Sequence, residues 1–443
     1  MMPVKLGVAA LVAAAIVGGM YVRREVGDGE LREYSGVYQW ERGDFVYLQP
    51  WAELTGANQL VALGESGEVR ALFPSGRDEF VAGSGAGVRE PVEATIGFQR
   101  DASGKIISLS WTRSGAAARM ARRVDAERRE AVQFANGDIK LAGTLISPNT
   151  KGPHPAIILV HASGAEDRDY LVPLAHFLVR RGIALLGYDK RGVGQSTGDW
   201  RTASFEDLAS DVVAAFNYLK TRTDVDSTQV GLFGWSQAGW IMPIAAVREK
   251  NIAFMISISG AAVPPAVSTI DQARNEMAAS GMKPETVRQI VDLMQLQYDY
   301  ARTGQGWDNY AAARQALVAR LGKAPPTFPQ SPDDPQWTVF RKVYLYDPAP
   351  TLRQLRVPTL AIFGGLDDNV IASKNKPAWD EYLREAGNPH YTLVVHPRAN
   401  HLQLEAKSGT NAEMPSLERF VPEYFATIRD WLARRVRGFD GST

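Results

Sequence analysis

A serine at position 236 lies between small residues, in the hexapeptide Gly-Trp-Ser-Gln-Ala-Gly that covers residues 234–239. An apolar run precedes it at residues 230–233 and another follows at residues 240–246, which predicts a strand, a tight turn and a helix. Such a turn exposes the serine hydroxyl at the strand tip and points the helix N-terminus at the reaction centre. Ser236 is therefore a candidate nucleophile, although so short a pattern also occurs by chance.

A serine nucleophile needs a histidine base and a carboxylate that orients it. In a strand–turn–helix arrangement of this kind the carboxylate and then the histidine follow the serine, which leaves His390, His396 and His401 of the six histidines. We favour His401, because it lies in the loop after the apolar run at residues 391–395, where open α/β sheets place reactive groups. His396 ends that strand and is expected to be structural, and His390 precedes it.

The carboxylate is expected in the loop after a second apolar run, at residues 359–363. Two glycines follow this run and permit a sharp turn, and Asp367 and Asp368 come directly afterwards. Both can reach the histidine, although only one can face it, and both also suit a solvated turn. We favour Asp367.

A third apolar run, at residues 156–160, leads into His161, Ala162 and Ser163. A loop in this place donates one backbone N–H to the oxyanion of a tetrahedral intermediate, and the residue after the nucleophile donates the other. We expect the donors to be the amides of Ser163 and Gln237, with Ala162 as the alternative to Ser163. His161 is expected to brace the loop.

Taken together, these segments resemble the α/β-hydrolase superfamily and, within it, the bacterial esterase and serine aminopeptidase-like (S33-type) branch. The resemblance covers roughly residues 130–437. Its motifs are the segments at residues 161–169, 188–196 and 234–239, then Asp367 and the pair Asn400-His401. Many members have glycine where this chain has Ala162 and Ala238, and alanine is small enough for both places.

The resemblance implies a serine hydrolase that cleaves small carboxylic esters through an acyl-enzyme on Ser236, with no cofactor and no metal. One alternative is a peptidase or aminopeptidase-like amide hydrolase, for which Glu166, Asp167 or Asp169 would anchor a charged substrate terminus. Another is a non-catalytic, membrane-tethered binding protein. The complete set of serine, aspartate and histidine favours an enzyme.

The predicted fold class is α/β: a doubly wound, mostly parallel sheet with a helical cap insertion and a small N-terminal antiparallel β-domain. An Arg- and Glu-rich helix is expected to connect the β-domain to the sheet. Apolar and aromatic side chains of the cap, such as Tyr298 and Tyr310, are expected to pack its own core, with lining of an acyl pocket as the alternative. The predicted boundaries are 31–115 for the β-domain, 130–262 and 348–437 for the sheet, and 263–347 for the cap.

Composition and the N-terminus bear on partners and location. Of 443 residues, 49 are basic and 49 acidic, so nothing favours nucleic acid as a partner. Cysteine is absent, which excludes a cysteine nucleophile. Residues 1–24 contain a long apolar run and are predicted to be a signal peptide or membrane anchor. We expect an exported, periplasmic or membrane-anchored protein, with a cytoplasmic-facing anchor as the alternative; the oligomeric state is left open.

Overall fold

The computed structural model describes residues 31–51, 54, 59–169, 172–322 and 327–442. The predicted signal peptide or anchor at residues 1–24 lies outside them. Among the described residues, no helix is both long enough and apolar enough to span a membrane.

The first part of the chain is a closed, eight-stranded antiparallel barrel in which each strand pairs with the next and β8 pairs back with β1. Its strands are β1 (Gly36–Glu41), β2 (Asp44–Pro50), β3 (Leu60–Gly64), β4 (Val69–Gly76), β5 (Glu79–Ala82), β6 (Ala94–Arg100), β7 (Ile106–Arg113) and β8 (Arg119–Val124). Alternate residues point inward and fill the interior with apolar side chains, including Leu48, Ile96 and Leu109. Closure leaves the barrel without an unpaired edge strand.

The connector helix predicted between the barrel and the sheet is wrong, because these residues form β8 and the start of β9. Ala121 is the one fully buried residue of β8, and the strand closes the barrel between β1 and β7. The arginines on either side of Ala121 hide the two-residue period in the sequence. Tertiary pairing decides the conformation of such a segment. The barrel consequently extends to Val124, beyond residue 115.

The second part is an eight-stranded sheet in the order β16-β15-β14-β13-β11-β12-β10-β9. Its strands are β9 (Glu127–Asn136), β10 (Ile139–Pro148), β11 (His154–Val160), β12 (Ala184–Tyr188), β13 (Val225–Trp235), β14 (Phe254–Ile258), β15 (Thr359–Gly364) and β16 (Tyr391–His396). The six strands from β16 to β12 in this order are parallel, and β10 and β9 pair antiparallel at one edge. The central parallel strands β11, β12 and β14 are buried throughout, as expected of strands covered on both faces.

Helices cover both faces of the sheet, and a separate group forms the cap. They are α1 (Val172–Val179), α2 (Phe205–Lys220), α3 (Ala238–Arg248), α4 (Pro265–Ala279), α5 (Pro284–Thr303), α6 (Trp307–Leu321), α7 (Gln336–Val339), α8 (Ala349–Leu352), α9 (Ala372–Glu385) and α10 (Glu423–Ala433). A π-helix at Phe340–Tyr344 follows α7, and a 3-10 helix at Asn411–Ser416 precedes α10. The α/β fold with a cap and a β-domain is confirmed.

The cap, formed by α4 to α7 and the π-helix, has a hydrophobic core of its own. Met294, Tyr298, Tyr300 and Tyr310 are buried in this core together with Trp337. The interpretation that these side chains pack the core of the cap is therefore confirmed.

Candidate active site

Ser236 occupies a strained turn between β13 and α3. Its φ is +54°, a left-handed conformation that costs a residue other than glycine roughly 1–3 kcal/mol. A Cβ added at Gly234 would lie 2.4 Å from the Cβ of Ala238, and one added at Gly239 would lie 2.6 Å from the amide nitrogen of Ala261. Small residues around the serine are therefore required by space as well as by the turn.

The amides at the start of α3 are arranged around this turn. Ser236 N–H donates to the carbonyl of Ile258 at 3.0 Å, and Gly239 N–H donates to the carbonyl of Ser236 at 2.9 Å. Gln237 lies between them as the N-cap residue of the helix. The helix N-terminus thus begins beside the serine, where its dipole favours developing negative charge.

His401 and Asp367 meet at the carboxyl edge of the sheet. His401 Nδ1 lies 2.9 Å from Asp367 Oδ2. The Asp367 side chain has no exposed surface and that of His401 is 14% exposed. The other carboxylate oxygen, Asp367 Oδ1, accepts the amides of Asn369 at 2.9 Å and Val370 at 2.8 Å. These two backbone donors fix the carboxylate, which in turn holds the Nδ1 edge of the imidazole ring.

The neighbouring carboxylate, Asp368, does not contact His401 by a hydrogen bond. Both of its oxygens are buried without a hydrogen-bond partner among the described residues, and its backbone carbonyl accepts Asn275 Nδ2 of the cap helix α4 at 2.9 Å. Burial and the adjacent Asp367 raise the pKa of Asp368 to about 6. Between the two aspartates, the structure pairs Asp367 with the histidine.

The loop that carries His401 is held by buried amide side chains. Asn400 Oδ1 accepts the amides of Leu402 at 3.0 Å and Leu404 at 2.9 Å. Gln403, which has a φ of +66°, donates through Nε2 to Ser259 Oγ at 3.1 Å, at the end of β14. The sequence analysis missed Gln403, because a glutamine two residues after a histidine carries no recognisable signal.

His161, His396 and His390 do not pair with Asp367. His161 is buried and its Nε2 lies 2.6 Å from the carbonyl of Tyr188; burial, followed by the nearby Lys190, lowers its pKa to about 3. His396 contacts Gln403 Oε1 at 2.9 Å, and burial lowers its pKa. His390 is exposed.

The loop after β11 lies beside the Ser236 turn, because β11 pairs with β13; in this loop Ala162 is buried and Ser163 is exposed. Lys190, which follows β12, is 1% exposed and donates through Nζ to the carbonyls of Ala162 at 2.7 Å and Gly164 at 3.0 Å. The sequence analysis assigned no role to this lysine.

The three acids that were possible anchors for a charged substrate terminus, Glu166, Asp167 and Asp169, make contacts within the protein. Asp169 forms an ion pair with Arg32 at 2.7 Å, and Asp167 Oδ1 accepts the amide of Asp169 at 3.0 Å. Glu166 is buried, and its carbonyl accepts the amide of Lys190 at 3.1 Å. Within the described ranges, no group of three or more acidic or histidine side chains is placed to hold a metal ion.

A parallel sheet with a strained serine turn after one strand, and a paired aspartate and histidine after two others, defines the α/β-hydrolase class. The chain belongs to the X-Pro dipeptidyl-peptidase (S15) family, whose model matches residues 136–403, more than half of its length. The superfamily expected from the sequence is confirmed. The S33-type branch is not confirmed, since the matching family is S15.

Two curated relatives are similar to parts of the chain. Esterase EstD of Thermotoga maritima is 26% identical over 279 residues, which cover 60% of this chain and 59% of EstD. The quorum-quenching protein AidA of Acinetobacter baumannii is 30% identical over 127 residues, 28% of this chain and 42% of AidA. The chain thus spans less than two thirds of the length of either relative.

Solved structures similar to the chain include an esterase of Pyrococcus furiosus and the acylaminoacyl peptidase of Pyrococcus horikoshii. The first has a TM-score of 0.45 at 17% identity and covers 70% of this chain and 92% of its own. The second has a TM-score of 0.46 at 14% identity and covers 91% of this chain and 56% of its own. At this level of similarity neither structure identifies a substrate.

Proposed function

We propose that the chain is a serine hydrolase that cleaves carboxylic esters through an acyl-enzyme formed on Ser236. The observation that carries the proposal is the 2.9 Å contact between His401 Nδ1 and the buried Asp367, at the same sheet edge as the strained Ser236 turn. Similarity to Esterase EstD supports an ester as the substrate.

In the proposed reaction the Ser236 hydroxyl attacks the ester carbonyl and His401 takes its proton. Because Nδ1 of His401 is bonded to Asp367, Nε2 is the nitrogen that accepts this proton. The proton then passes to the leaving alkoxide, and a water molecule hydrolyses the acyl-enzyme by the same steps in reverse. Asp367 stays ionised, holds the imidazole in place and stabilises the imidazolium.

The negative charge on the tetrahedral intermediate requires donors that are in place before the reaction. We assign this role to the backbone amides of Ser163 and Gln237. Gln237 is the N-cap of α3 and directly follows the nucleophile, and the Ser163 loop follows β11, which pairs with β13. Loss of one such donor typically lowers the rate by about 10²–10³-fold.

The proposal is tested with a series of p-nitrophenyl esters of increasing acyl length, using the wild type and Ser236→Ala. We expect turnover by the wild type and a loss of roughly 10⁵–10⁶-fold in kcat for the variant, with circular dichroism showing that it is folded. Turnover that persists in folded Ser236→Ala would contradict the assignment of the nucleophile. A folded wild type that cleaves none of the esters would contradict the proposed activity and favour the non-catalytic binding protein.

Amide hydrolysis is the second candidate, because the family is one of peptidases and buried carboxylate oxygens of the neighbouring Glu276 and Asp368 lack hydrogen-bond partners among the described residues. Glu276 Oε2 on the cap helix α4 and both oxygens of Asp368 are buried without a hydrogen-bond partner among the described residues. An ammonium group of a peptide substrate would satisfy them better than an uncharged ester would.

This candidate is tested by comparing aminoacyl and X-Pro p-nitroanilides with uncharged esters. A preference for the charged amides that is lost in both Glu276→Gln and Asp368→Asn would favour the peptidase. Ester turnover that is insensitive to both substitutions would favour the esterase.

A further inference from the structure

Lys190 is a buried cation that the proposed reaction does not use. It is 1% exposed, and its ammonium contacts two backbone carbonyls and a side chain. The acceptors are the carbonyl oxygens of Ala162 at 2.7 Å and Gly164 at 3.0 Å and, at a longer 3.5 Å, Gln237 Oε1. We propose that Lys190 is a positioning residue that assembles the oxyanion hole, an inference that rests on the proposed function.

The geometry of the peptide bond explains how the lysine acts. In a planar trans peptide the carbonyl of one residue and the amide of the next point in opposite directions. When Lys190 holds the carbonyl of Ala162, it therefore turns the N–H of Ser163 to the side away from the lysine. This N–H is the one that we assign to the oxyanion.

A glycine in the loop allows the same ammonium to hold a second carbonyl. Gly164 has a φ of +108°, which is accessible to glycine at little cost and strained for other residues. The chain bends there, and the carbonyls of Ala162 and Gly164 both accept from one ammonium. Two bonds on a three-residue segment fix its rotation, which a single bond would leave free.

The contact with Gln237 extends this arrangement to the other half of the hole. Gln237 lies directly after the nucleophile and contributes the second amide in the proposed function, while its side-chain oxygen lies 3.5 Å from Lys190 Nζ. One ammonium thus connects the loop after β11 with the start of α3. Loss of the lysine is expected to release the Ser163 donor, whereas the backbone amide of Gln237 stays at the N-cap of α3.

The surroundings of Lys190 offset the cost of burying its charge. Carbonyl oxygens accept its protons, and its ammonium lies 5.2 Å from the centre of the Trp200 ring, a distance at which a cation is attracted to the ring face. His161 stays neutral beside it, because burial and the lysine both lower its pKa. The adjacent Arg191 serves a different purpose, since it pairs with the buried Asp211 at 2.7 Å.

The inference is tested by Lys190→Met, which keeps an unbranched side chain one atom shorter and removes the donors. We measure kcat and KM for a p-nitrophenyl ester, together with the Kd of an alkyl boronic acid, which forms a tetrahedral adduct on an active serine. We expect kcat to fall by about 10²–10³-fold and the boronate Kd to rise by the same factor, while KM changes by less than about threefold.

The matched control is Arg191→Met, which removes a buried cation from the next position in the chain. It is expected to lower the melting temperature while kcat and the boronate Kd, measured below that temperature, stay within about threefold of the wild type. This separates loss of oxyanion binding from general damage to the loop.

The inference is overturned if folded Lys190→Met retains kcat within about threefold, or if KM rises while the boronate Kd stays unchanged. If Lys190→Met does not fold, Lys190→Arg carries the test. Its planar guanidinium cannot place three donors as an ammonium does, so kcat and boronate affinity are expected to fall together by about tenfold, and their retention overturns the inference. Failure of the proposed function would look different, because the wild type itself would then show neither turnover nor boronate binding.

Discussion

The barrel and the sheet bury their polar groups in different ways. Among the described residues from 31 to 124, the buried polar side chains are uncharged: Ser35, Gln49 and Ser108. The sheet's loops bury Asp189, Lys190, Arg191 and Asp367, and helix α2 buries Asp211. Burial of a charge is costly unless it is paired or hydrogen-bonded. The barrel thus has an interior built for stability, whereas the sheet edge accepts charges that orient reactive groups.

Backbone strain follows the same division. Four described residues other than glycine have a left-handed φ, namely Asp78, Ser236, Ser259 and Gln403. Asp78 lies in a turn of the barrel, and the other three lie after β13, β14 and β16, at the carboxyl edge of the sheet. Strain of this kind persists where the surrounding structure imposes it, and it concentrates at functional sites.

The largest expected effect is the difference in kcat between substitutions of the two neighbouring aspartates at this edge. Asp367→Asn should lower kcat by about 10⁴-fold, because the amide would hold the imidazole in the wrong tautomer. Asp368→Asn, the matched control, should change ester turnover by less than about tenfold, since Asp368 makes no hydrogen bond to His401. Steady-state kinetics on one ester measures both. The reverse order would show that Asp368 orients the histidine.

A substitution at the contact between the barrel and the sheet domain is expected to lower stability and leave catalysis intact. Glu65 accepts hydrogen bonds from the Tyr47 hydroxyl, from Arg180 at 2.8 Å and from Arg181 at 2.6 Å. Because the Arg181 side chain is only 3% exposed, Glu65→Gln leaves a buried guanidinium without its counter-ion and should cost roughly 2–3 kcal/mol.

Urea unfolding measures this loss, and kcat measured under native conditions should be unchanged. The control is Asp44→Asn, which breaks the exposed pair of the same barrel with Arg119 at 2.9 Å and should cost less than about 0.5 kcal/mol. A large loss of kcat in folded Glu65→Gln would show that the barrel takes part in forming the site.

Asp368 provides a pH-dependent test of the cost of burying charge at the sheet edge. Its folded pKa of about 6 lies above the unfolded value of about 3.9. The destabilisation is therefore absent below about pH 4, grows as the pH rises from about 4 to about 6 and is constant above that. Asp368→Asn should match the wild type at pH 4 and be more stable at pH 7 by roughly 1–2 kcal/mol, allowing for solvent screening. A pH-independent difference in unfolding free energy would refute this.

The smallest expected effect concerns the strain at the nucleophile. Ser236→Gly should be more stable than Ser236→Ala by about 1 kcal/mol, because glycine adopts the left-handed conformation without a Cβ clash. Both variants lack the hydroxyl, so the comparison isolates the backbone from the chemistry. Thermal unfolding of the two proteins measures it. Equal melting temperatures would show that the turn stores no strain.

Much of the sheet and its loops could be predicted from the sequence, because buried parallel strands are continuous apolar runs and their following loops share one edge. Ser236, Asp367 and His401 each follow such a run, and the structure brings Asp367 and His401 together. The choice between Asp367 and Asp368 depends on which side chain faces the imidazole, and adjacent residues of one turn give no sequence signal for that.

Other features depend on contacts that are distant in the sequence. The segment at Arg119–Val124 is a strand because it closes a barrel with β1, whose residues lie some eighty positions earlier. Lys190 looks like an ordinary surface lysine in a glycine-rich loop. Its burial becomes visible only once the loop after β11 is placed beside it. Gln403 is similar, since its partner Ser259 is 144 residues away.

The central claim, that Ser236 is an activated nucleophile, is tested most directly by labelling the folded protein with a fluorophosphonate and mapping the adduct by peptide mass spectrometry. The account predicts one adduct per chain on the peptide that contains Ser236, slowed strongly in Asp367→Asn and absent in Ser236→Ala. A folded wild-type protein that is not labelled, or an adduct on a different serine, would contradict it.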